Sequence, residues 1–387
     1  TRTDGTWQRG PAVTSDSRYD AFPAVAGADG DRLVAWSRAN SSLTPAETTS
    51  PFDTFRHLDV AVVPSARGGW GAITRLTDNS LPEFDTTVAG TGDAWLVAWV
   101  TDTDRSLSTT ADRRVDYAVL GADGATVLER GSVDSARAVD VAVTDDGRFR
   151  LVALQQPNGT SSTRIVDLAV ASSGSVEERT VVSAPNASAV TTSGSRLAWV
   201  DESTTPARIA VQNASGERET LTPGRAGLEH PTLLSTDERD VLAYEAVPTR
   251  GRGPSTLYVQ IAGSEASGWT APTRLQTDNR SVQRAAFLAR GEQVVGVFAA
   301  TPNPNVRPDL YATERRLGRA DLAVNVSRLP GTGADTTASD GSSTLSDSGS
   351  TTLADGGSGT TSVTVTNDGG ARSGETTVLV ATPSGET

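Results

Sequence analysis

The tetrapeptide LVAW at Leu33–Trp36 occurs again, unchanged, at Leu96–Trp99. Related stretches follow as LVAL at Leu151–Leu154, LAW at Leu197–Trp199, VLAY at Val241–Tyr244 and VVGV at Val294–Val297. The last residues of successive stretches are 45 to 63 residues apart, which is the length of a four-stranded antiparallel sheet with its turns. The repeat therefore predicts six similar sheets along the chain.

Each of these stretches has similar neighbours. An apolar segment precedes it and is joined to it by a tight turn such as ADGD at Ala28–Asp31. A third segment follows, for example LDVAV at Leu58–Val62 and VDYAV at Val115–Val119, and a fourth ends in RLT or a similar sequence. No stretch shows the 3.6-residue periodicity of a helix. The pattern predicts an all-β protein, specifically a six-bladed β-propeller.

The two ends of this repeat region are predicted to complete each other. Trp7–Thr14 matches the ends of two later units, Trp70–Thr77 and Trp269–Thr277, although no unit precedes it. The sixth unit shows three segments, ends near Arg315 and lacks a fourth. We therefore expect an N-terminal strand to close the last blade and leave no open sheet edge, with the propeller spanning residues 1–317.

A different pattern occupies residues 318–387. Gly, Ser, Thr, Asp and Ala dominate residues 331–362, as in a linker. Alternating valines at Val363 and Val365, the turn residues Asn367–Gly370 and the apolar run Val378–Val380 then predict a hairpin. Together with DLAVNV at Asp321–Val326, these segments resemble the cell-adhesion-related, Ig-like β-sandwich modules of secreted bacterial and archaeal surface proteins. The resemblance implies a partial Ig-like β-sandwich over residues 318–387.

The charge and composition exclude several classes of function. The net charge of −13 argues against nucleic acid or an anionic membrane surface as a partner, and no apolar run is long enough to span a membrane. Cysteine is absent and only two histidines occur, which excludes disulfides and multi-histidine metal centres. All 34 basic residues are arginine. The acidic, lysine-free chain resembles haloarchaeal cell-surface proteins, with a GC-rich actinobacterial source as the alternative.

Asn-x-Ser/Thr sequons are more numerous than chance predicts, which favours an exported glycoprotein. They lie at Asn40, Asn158, Asn186, Asn213, Asn279 and Asn325. We interpret the chain as mature, secreted, extracellular and halophilic, and as displayed on a cell surface.

The predicted binding residues lie where the first strand of each unit begins. Counting fourteen residues back from the last residue of the repeated stretch leads to Phe22, Asp85, Asp140, His230 and Gln283, with Asn186 as the nearest polar residue in the short fourth unit. In a propeller these positions converge at one mouth of the central channel, where carboxylates, amides and an imidazole could bind a sugar or a hydrated cation. The simpler interpretation is that they line a water-filled channel.

No catalytic constellation is recognisable in the sequence. Paired carboxylates are what glycoside hydrolysis requires, but the repeated aspartates at turns are explained by turn capping. The acidic stretches TDTDRS at Thr101–Ser106 and VTDDG at Val143–Gly147 suggest calcium but lack the spacing of a calcium loop, so no metal or cofactor is predicted. The sequence favours a non-enzymatic protein for adhesion or surface assembly that binds a glycan, a surface protein or itself. The alternative is a carbohydrate-active hydrolase or lyase at the channel mouth, using Asp85, Asp140 and His230.

Overall fold

The computed structural model describes most of the repeat region and two short hairpins. The described residues are 2–3, 6–7, 12–16, 18–40, 57–66, 69–157, 160–221, 227–236, 239–247, 255–263, 268–275, 281–290, 293–301, 309–316, 325–328, 360–365 and 376–381. Among them every regular element is a strand. Within the same residues, no helix is long and apolar enough to cross a membrane.

The chain begins with a two-residue hairpin, β1 (Arg2–Thr3) with β2 (Thr6–Trp7). The first large sheet follows. Its strands are β3 (Asp20–Ala28), β4 (Asp31–Ala39), β5 (Leu58–Ala66), β6 (Gly69–Trp70) and β7 (Thr74–Arg75), the last two of which both pair with β5. The repeated stretch Leu33–Trp36 lies in β4, the second strand of this sheet.

Three four-stranded antiparallel sheets come next, each made of consecutive strands. The second sheet consists of β8 (Glu83–Gly90), β9 (Ala94–Thr101), β10 (Arg114–Gly121) and β11 (Val127–Val133). The third consists of β12 (Ala136–Val143), β13 (Phe149–Gln155), β14 (Arg164–Val170) and β15 (Val176–Ser183). The fourth consists of β16 (Ala187–Thr192), β17 (Leu197–Asp201), β18 (Arg208–Gln212) and β19 (Arg218–Leu221).

Two further four-stranded sheets complete the series. The fifth consists of β20 (Gly227–Ser235), β21 (Arg239–Val247), β22 (Thr256–Gly263) and β23 (Thr273–Arg274). The last consists of β24 (Ser281–Arg290), β25 (Gln293–Thr301), β26 (Asp309–Arg316) and β27 (Asn325–Arg328). The first strands of successive sheets contact one another from β3 through β24, which is the propeller arrangement.

The core is divided into layers, each between two successive sheets. Strand β9 shows why: Trp95, Val97 and Trp99 point toward the first sheet, whereas Leu96, Ala98 and Val100 point toward the third. The strand is buried along its whole length, because both of its faces are covered, and it therefore reads as a continuous apolar run. Gly90 opposes Trp95 in the ladder, and a Cβ at Gly90 would lie 2.3 Å from the indole ring.

The last sheet does not confirm the predicted closure by an N-terminal strand. Asn325–Arg328 pairs with β26, with Tyr311 opposite Arg328, and so occupies the fourth-strand position that was assigned to the N-terminal segment. Thr6–Trp7 instead pairs with β1. Asn325–Arg328, beyond the predicted boundary at 317, is thus the fourth strand of the last sheet.

The C-terminal hairpin agrees with its sequence pattern. Strand β28 (Thr360–Val365) pairs with β29 (Thr376–Ala381), and Val363 lies opposite Val378. The predicted turn at residues 367–370 and residues 321–324 lie outside the described residues, while Asn325 and Val326 lie in β27 of the last sheet. The sandwich therefore stays a prediction.

Candidate functional site

The first strand of each sheet contains a β-bulge near its start. In three sheets the bulge carries a non-glycine residue in the left-handed region, namely Phe22 (φ 51°), Asp85 (φ 52°) and His230 (φ 47°). These are three of the positions that equal spacing had selected. Since bulges re-aim side chains, the backbone presents these three residues in the same way.

The other predicted ring residues are placed differently. Asp140 pairs with Val152 in the regular ladder, because the bulge of that strand falls between Ala136 and Ala138. The fourteen-residue count fails here because the turn between β12 and β13 is longer than those of the first and second sheets. Asn186 is exposed and precedes β16. Gln283 lies in β24 opposite Ala299 of β25, and its side chain is not among those that the structure describes.

Asp140 has a structural role between sheets. Its Oδ2 accepts hydrogen bonds from Thr191 Oγ1 (2.7 Å) and the Thr192 amide (3.0 Å), and its Oδ1 accepts one from Thr87 Oγ1 (3.3 Å). It therefore ties the first strands of the second, third and fourth sheets together. Burial raises the pKa of this carboxyl, although the hydrogen bonds oppose the shift. A group engaged in this way is a poor candidate for a ligand or a catalyst.

His230 lies in a cluster of titratable groups. Glu229 precedes it on β20, and Glu245 lies opposite Glu229 on β21. One ligand atom from each of the three side chains lies within 4.8 Å of the others, and His230 Nδ1 is 3.4 Å from Glu245 Oε2. Glu245 is buried and also accepts the Ala285 amide at 3.2 Å, while Glu229 and His230 are exposed. This set could bind a cation or move a proton between an imidazole and a carboxylate.

A second candidate site, which the sequence analysis missed, is a cleft of about 260 Å³ at the first sheet. We call it the arginine cleft. Its lining residues are Asp16, Arg18, Arg38, Ala39, Asn40, Asp59, Ala61, Ile73 and Arg75. Asn40, one of the sequons, therefore lies in the cleft itself.

Ion pairs fix most of the charged side chains of the arginine cleft. Arg38 is nearly buried and pairs with Asp16, with its Nε 3.7 Å from Asp20. Arg75 pairs with Asp59 and, at 2.9 Å, with Asp78. Arg18 is exposed at the rim, where its backbone amide donates to Asp16 Oδ1 at 3.1 Å.

The wall behind the cleft contains two buried carboxyls. Burial raises the pKa of Asp59, against the hydrogen bonds from the Asn79 amide and Arg75. Glu83 is also buried, and burial raises its pKa to about 7 in spite of hydrogen bonds from Thr77, Asn79 and the Val60 amide. These groups connect the first sheet to the start of the second.

One sequence signal could have indicated the arginine cleft. Arg38 follows the repeated stretch by two residues, and the other repeated stretches have no arginine there. Asp59 recurs in the third strand of the next two sheets as Asp116 and Asp167, a repetition that favours a structural role. Those two do form ion pairs within their own sheets, with Arg114 and Arg150. Only the three-dimensional arrangement shows that Asp59 also lines a cleft.

Comparisons with known proteins give structural likenesses of low sequence identity. No protein-family model and no curated protein sequence matches the chain. The Trypanosoma rangeli sialidase in complex with sialic acid aligns over 77% of this chain and 54% of its own, at 12% identity and a TM-score of 0.46. This chain thus spans about half the length of that sialidase.

Two viral proteins show a similar degree of likeness. The parainfluenza virus 5 hemagglutinin-neuraminidase ectodomain aligns over 83% of this chain and 84% of its own, at 6% identity and a TM-score of 0.47. The subtype N10 neuraminidase-like protein of a little yellow-shouldered bat virus aligns over 78% and 95%, at 10% identity and a TM-score of 0.46.

Proposed function

We propose that this chain is an extracellular surface protein that binds glycans in the arginine cleft and does not cleave them. The observation that carries the proposal is the arrangement of three arginines, two aspartates and Asn40 around one cleft of about 260 Å³. Guanidinium groups donate hydrogen bonds in a planar fork that matches a carboxylate or sulfate, while carboxylates and amides accept bonds from hydroxyls.

The size and charge of the cleft narrow the ligand class. Pockets for drug-sized ligands run from about 300 to 1,000 Å³. A smaller cleft suits one sugar ring, the terminal residue or a side branch of a polysaccharide. Arg38 and Arg75 are balanced by Asp16, Asp20, Asp59 and Asp78, so the exposed guanidinium of Arg18 is the cation that the lining offers to a ligand. We therefore propose an acidic glycan, bearing carboxylate or sulfate groups, as the ligand.

The ion pairs also favour binding over catalysis. A glycosidase needs one carboxylic acid as a proton donor and a second carboxylate as base or nucleophile. Asp16 and Asp59 are each held in an ion pair with an arginine, so neither carboxyl is directed at a glycosidic oxygen. Held rigidly, the same pairs pre-organise hydrogen-bonding groups for a ligand.

The test uses immobilised protein made without glycosylation, because a glycan on Asn40 would itself fill the cleft. Acidic and neutral polysaccharides are passed over it at several salt concentrations, and their mass is measured before and after. Retention of acidic polymers at unchanged mass supports the proposal. Retention of neutral polymers only, or none, overturns it.

A second function, hydrolysis, is favoured by one observation, the cluster of Glu229, His230 and Glu245. In this alternative an acid–base pair at the bulge of the fifth sheet cleaves a glycan or a related substrate. Shortened products in the retention experiment would support it. Their disappearance in Glu245→Gln, with binding retained, would assign the chemistry to this cluster.

The wider setting extends the same proposal. We propose that the sheets are six blades of one ring, that an Ig-like module follows, and that the lysine-free acidic surface is an adaptation of a haloarchaeal protein to high salt. Repulsion among carboxylates grows as salt is removed, so such a protein unfolds at low ionic strength. Retention of the fold at low ionic strength would contradict the halophilic part.

A further inference from the structure

The loop between β9 and β10, residues 102–113, contains three aspartates and two arginines. Asp102 directly follows the buried strand β9, and Asp104 and Asp112 lie in the loop. One carboxylate oxygen from each of the three lies within 4.8 Å of the others. Acidic groups cluster on many protein surfaces without a ligand, so the short distances between these carboxylates do not by themselves indicate a metal site.

Hydrogen bonds inside the loop engage some of these oxygens and leave others free. Asp112 Oδ2 accepts the amides of Asp104 (2.9 Å) and Thr103 (3.1 Å), and Asp102 Oδ1 accepts the Ser106 amide at 3.0 Å. Asp104 accepts bonds from Ser106 and Thr109. Asp102 Oδ2 and Asp112 Oδ1 are buried and accept no hydrogen bond.

These two buried oxygens could each still accept a hydrogen bond or bind a cation. Asp102 is 0% exposed, so its free oxygen has no access to bulk water. Nε of Arg113 lies 3.5 Å from it, but this N–H is also buried without an acceptor. Buried polar atoms without partners are rare in proteins and indicate a missing ligand or water.

We propose that this loop binds a calcium ion between Asp102, Asp104 and Asp112. Calcium takes six to eight oxygen ligands in flexible geometry, from carboxylates, backbone carbonyls and water. The loop supplies three carboxylates, and its backbone carbonyls and water would complete the coordination. Magnesium requires near-ideal octahedral geometry and gives up its water reluctantly, so it fits an irregular loop less well. Zinc prefers nitrogen and sulfur ligands, and no histidine or cysteine occurs in residues 102–113.

The site also explains the position of Arg113. Its guanidinium stacks 5.1 Å above the Phe84 ring and donates to the Leu107 carbonyl at 3.1 Å. Held there, Arg113 offsets part of the charge of the three carboxylates through its ion pair with Asp102 Oδ2 at 3.5 Å, while Asp102 Oδ2 and Asp112 Oδ1 still accept no hydrogen bond. Arg105 donates to Ser80 in the connection between the first and second sheets. Bound calcium would therefore order a loop that touches this connection.

The first experiment is a calorimetric titration of calcium into the full chain after treatment with EDTA, with magnesium as a parallel arm. We expect one calcium site, weaker binding of magnesium, and a melting temperature that rises by a few degrees at about one hundred times the dissociation constant. Asp112→Asn keeps an oxygen for the loop amides but replaces the free oxygen with an amide nitrogen. It should weaken calcium at least about tenfold.

The matched control is Asp123→Asn in the next hairpin of the same sheet. Asp123 likewise accepts two loop amides, at 3.0 and 2.9 Å, but has no acidic partners in a cluster. Its replacement should leave calcium affinity unchanged. A readout without variants is hydrogen exchange, in which calcium should slow the amides of residues 103–112 in the wild-type chain.

Three results would overturn the proposal. They are no saturable calcium binding at millimolar concentration, equal affinity in wild type and Asp112→Asn, and loop amides that exchange at the same rate with and without calcium. Any of them would mean that ordinary water satisfies the free oxygens of Asp102 and Asp112.

Discussion

The bulges of the second and fifth sheets share a backbone but differ in chemistry. In the second sheet Phe84 opposes Val100 and Asp85 takes the left-handed conformation. In the fifth sheet Glu229 opposes Glu245 and His230 takes that conformation. The first position of the pair is thus a buried aromatic ring in one sheet and a carboxylate in the other.

The comparison distinguishes the bulge backbone, which the fold requires, from the side chains at the bulge, which can serve a function. The bulge recurs because every inner strand must bend at the same place, so its backbone is a structural feature of the fold. Phe84 adds apolar packing, with its ring centroid 6.1 Å from that of Phe22. Titratable side chains at the equivalent place in the fifth sheet add nothing to the core, so their role has to be sought in chemistry or binding.

The largest expected loss of stability comes from removing the aromatic ring of Phe84 at the bulge of the second sheet. Phe84→Ala deletes a buried ring from the core layer between the second and third sheets and should reduce the free energy of unfolding by about 3–5 kcal/mol. Glu229→Ala, at the equivalent exposed position, should change it by less than about 0.5 kcal/mol. Urea unfolding measures both. Similar losses in the two variants would contradict a structural role confined to the second sheet.

Glu83, one residue before Phe84, should make stability depend on pH. Its pKa in the folded protein is about 7 and its ordinary value is 4.5, so the folded state binds the proton more tightly. The stabilisation is complete below pH 4.5 and is lost as the pH rises through 7, amounting to about 3 kcal/mol.

Glu83→Gln removes this titration, so its stability relative to wild type should improve by about 3 kcal/mol between pH 4.5 and 8. Urea unfolding at the two pH values measures the difference. Glu178→Gln, at an exposed glutamate of the third sheet, serves as the control and should follow the wild type. An unchanged pH slope in Glu83→Gln would refute the assignment to Glu83.

A smaller effect separates the two aspartates that the sequence placed in one ring. Asp140→Asn turns one acceptor of the threonine bonds into a donor and should cost about 1–3 kcal/mol at pH 8. Asp85→Asn should stay within about 0.5 kcal/mol, because asparagine tolerates positive φ. Thermal unfolding of both variants is sufficient, and equal losses would mean that Asp85 and Asp140 share one role.

The smallest effect concerns the fifth-sheet bulge. His230→Asn preserves a residue that accepts the left-handed backbone and should alter the free energy of unfolding by less than about 0.5 kcal/mol. His230→Val introduces a β-branched residue there and should cost about 1–3 kcal/mol. If both variants are equally stable, the bulge does not hold His230 at positive φ.

The sequence predicted the fold better than the site. The spacing of Trp36, Trp99 and Tyr244 predicts the length of a sheet, and the alternation of apolar and polar residues predicts which strand faces are buried. Both patterns are local and can be recognised in the sequence alone. The N-terminal closing strand stays a prediction: Trp7–Thr14 resembles a fourth strand, while the strand that pairs with β26, Asn325–Arg328, has only four residues and no tryptophan. Strand pairing is a long-range choice that such short segments do not specify.

The candidate sites could be predicted only in part, because they too depend on contacts between residues that are distant in the sequence. His230 was found because equal spacing locates the bulge, but its partner Glu245 lies on the neighbouring strand and has no counterpart in the other repeats. The arginine cleft brings together Arg18, Arg38 and Arg75 from three separate segments, and their ion pairs depend on how the first sheet folds. Asp140 was misplaced because a longer turn shifts the count.

The most direct test of the account is the affinity of an acidic oligosaccharide for three proteins: wild type, Arg18→Gln and Glu229→Gln. Both substituted residues are exposed, so the fold should be preserved, and calorimetry measures binding. The account predicts that Arg18→Gln weakens binding at least about tenfold, because a charge-assisted bond is lost, while Glu229→Gln binds like the wild type. Loss of affinity in Glu229→Gln with full binding in Arg18→Gln would contradict it and assign recognition to the fifth-sheet bulge.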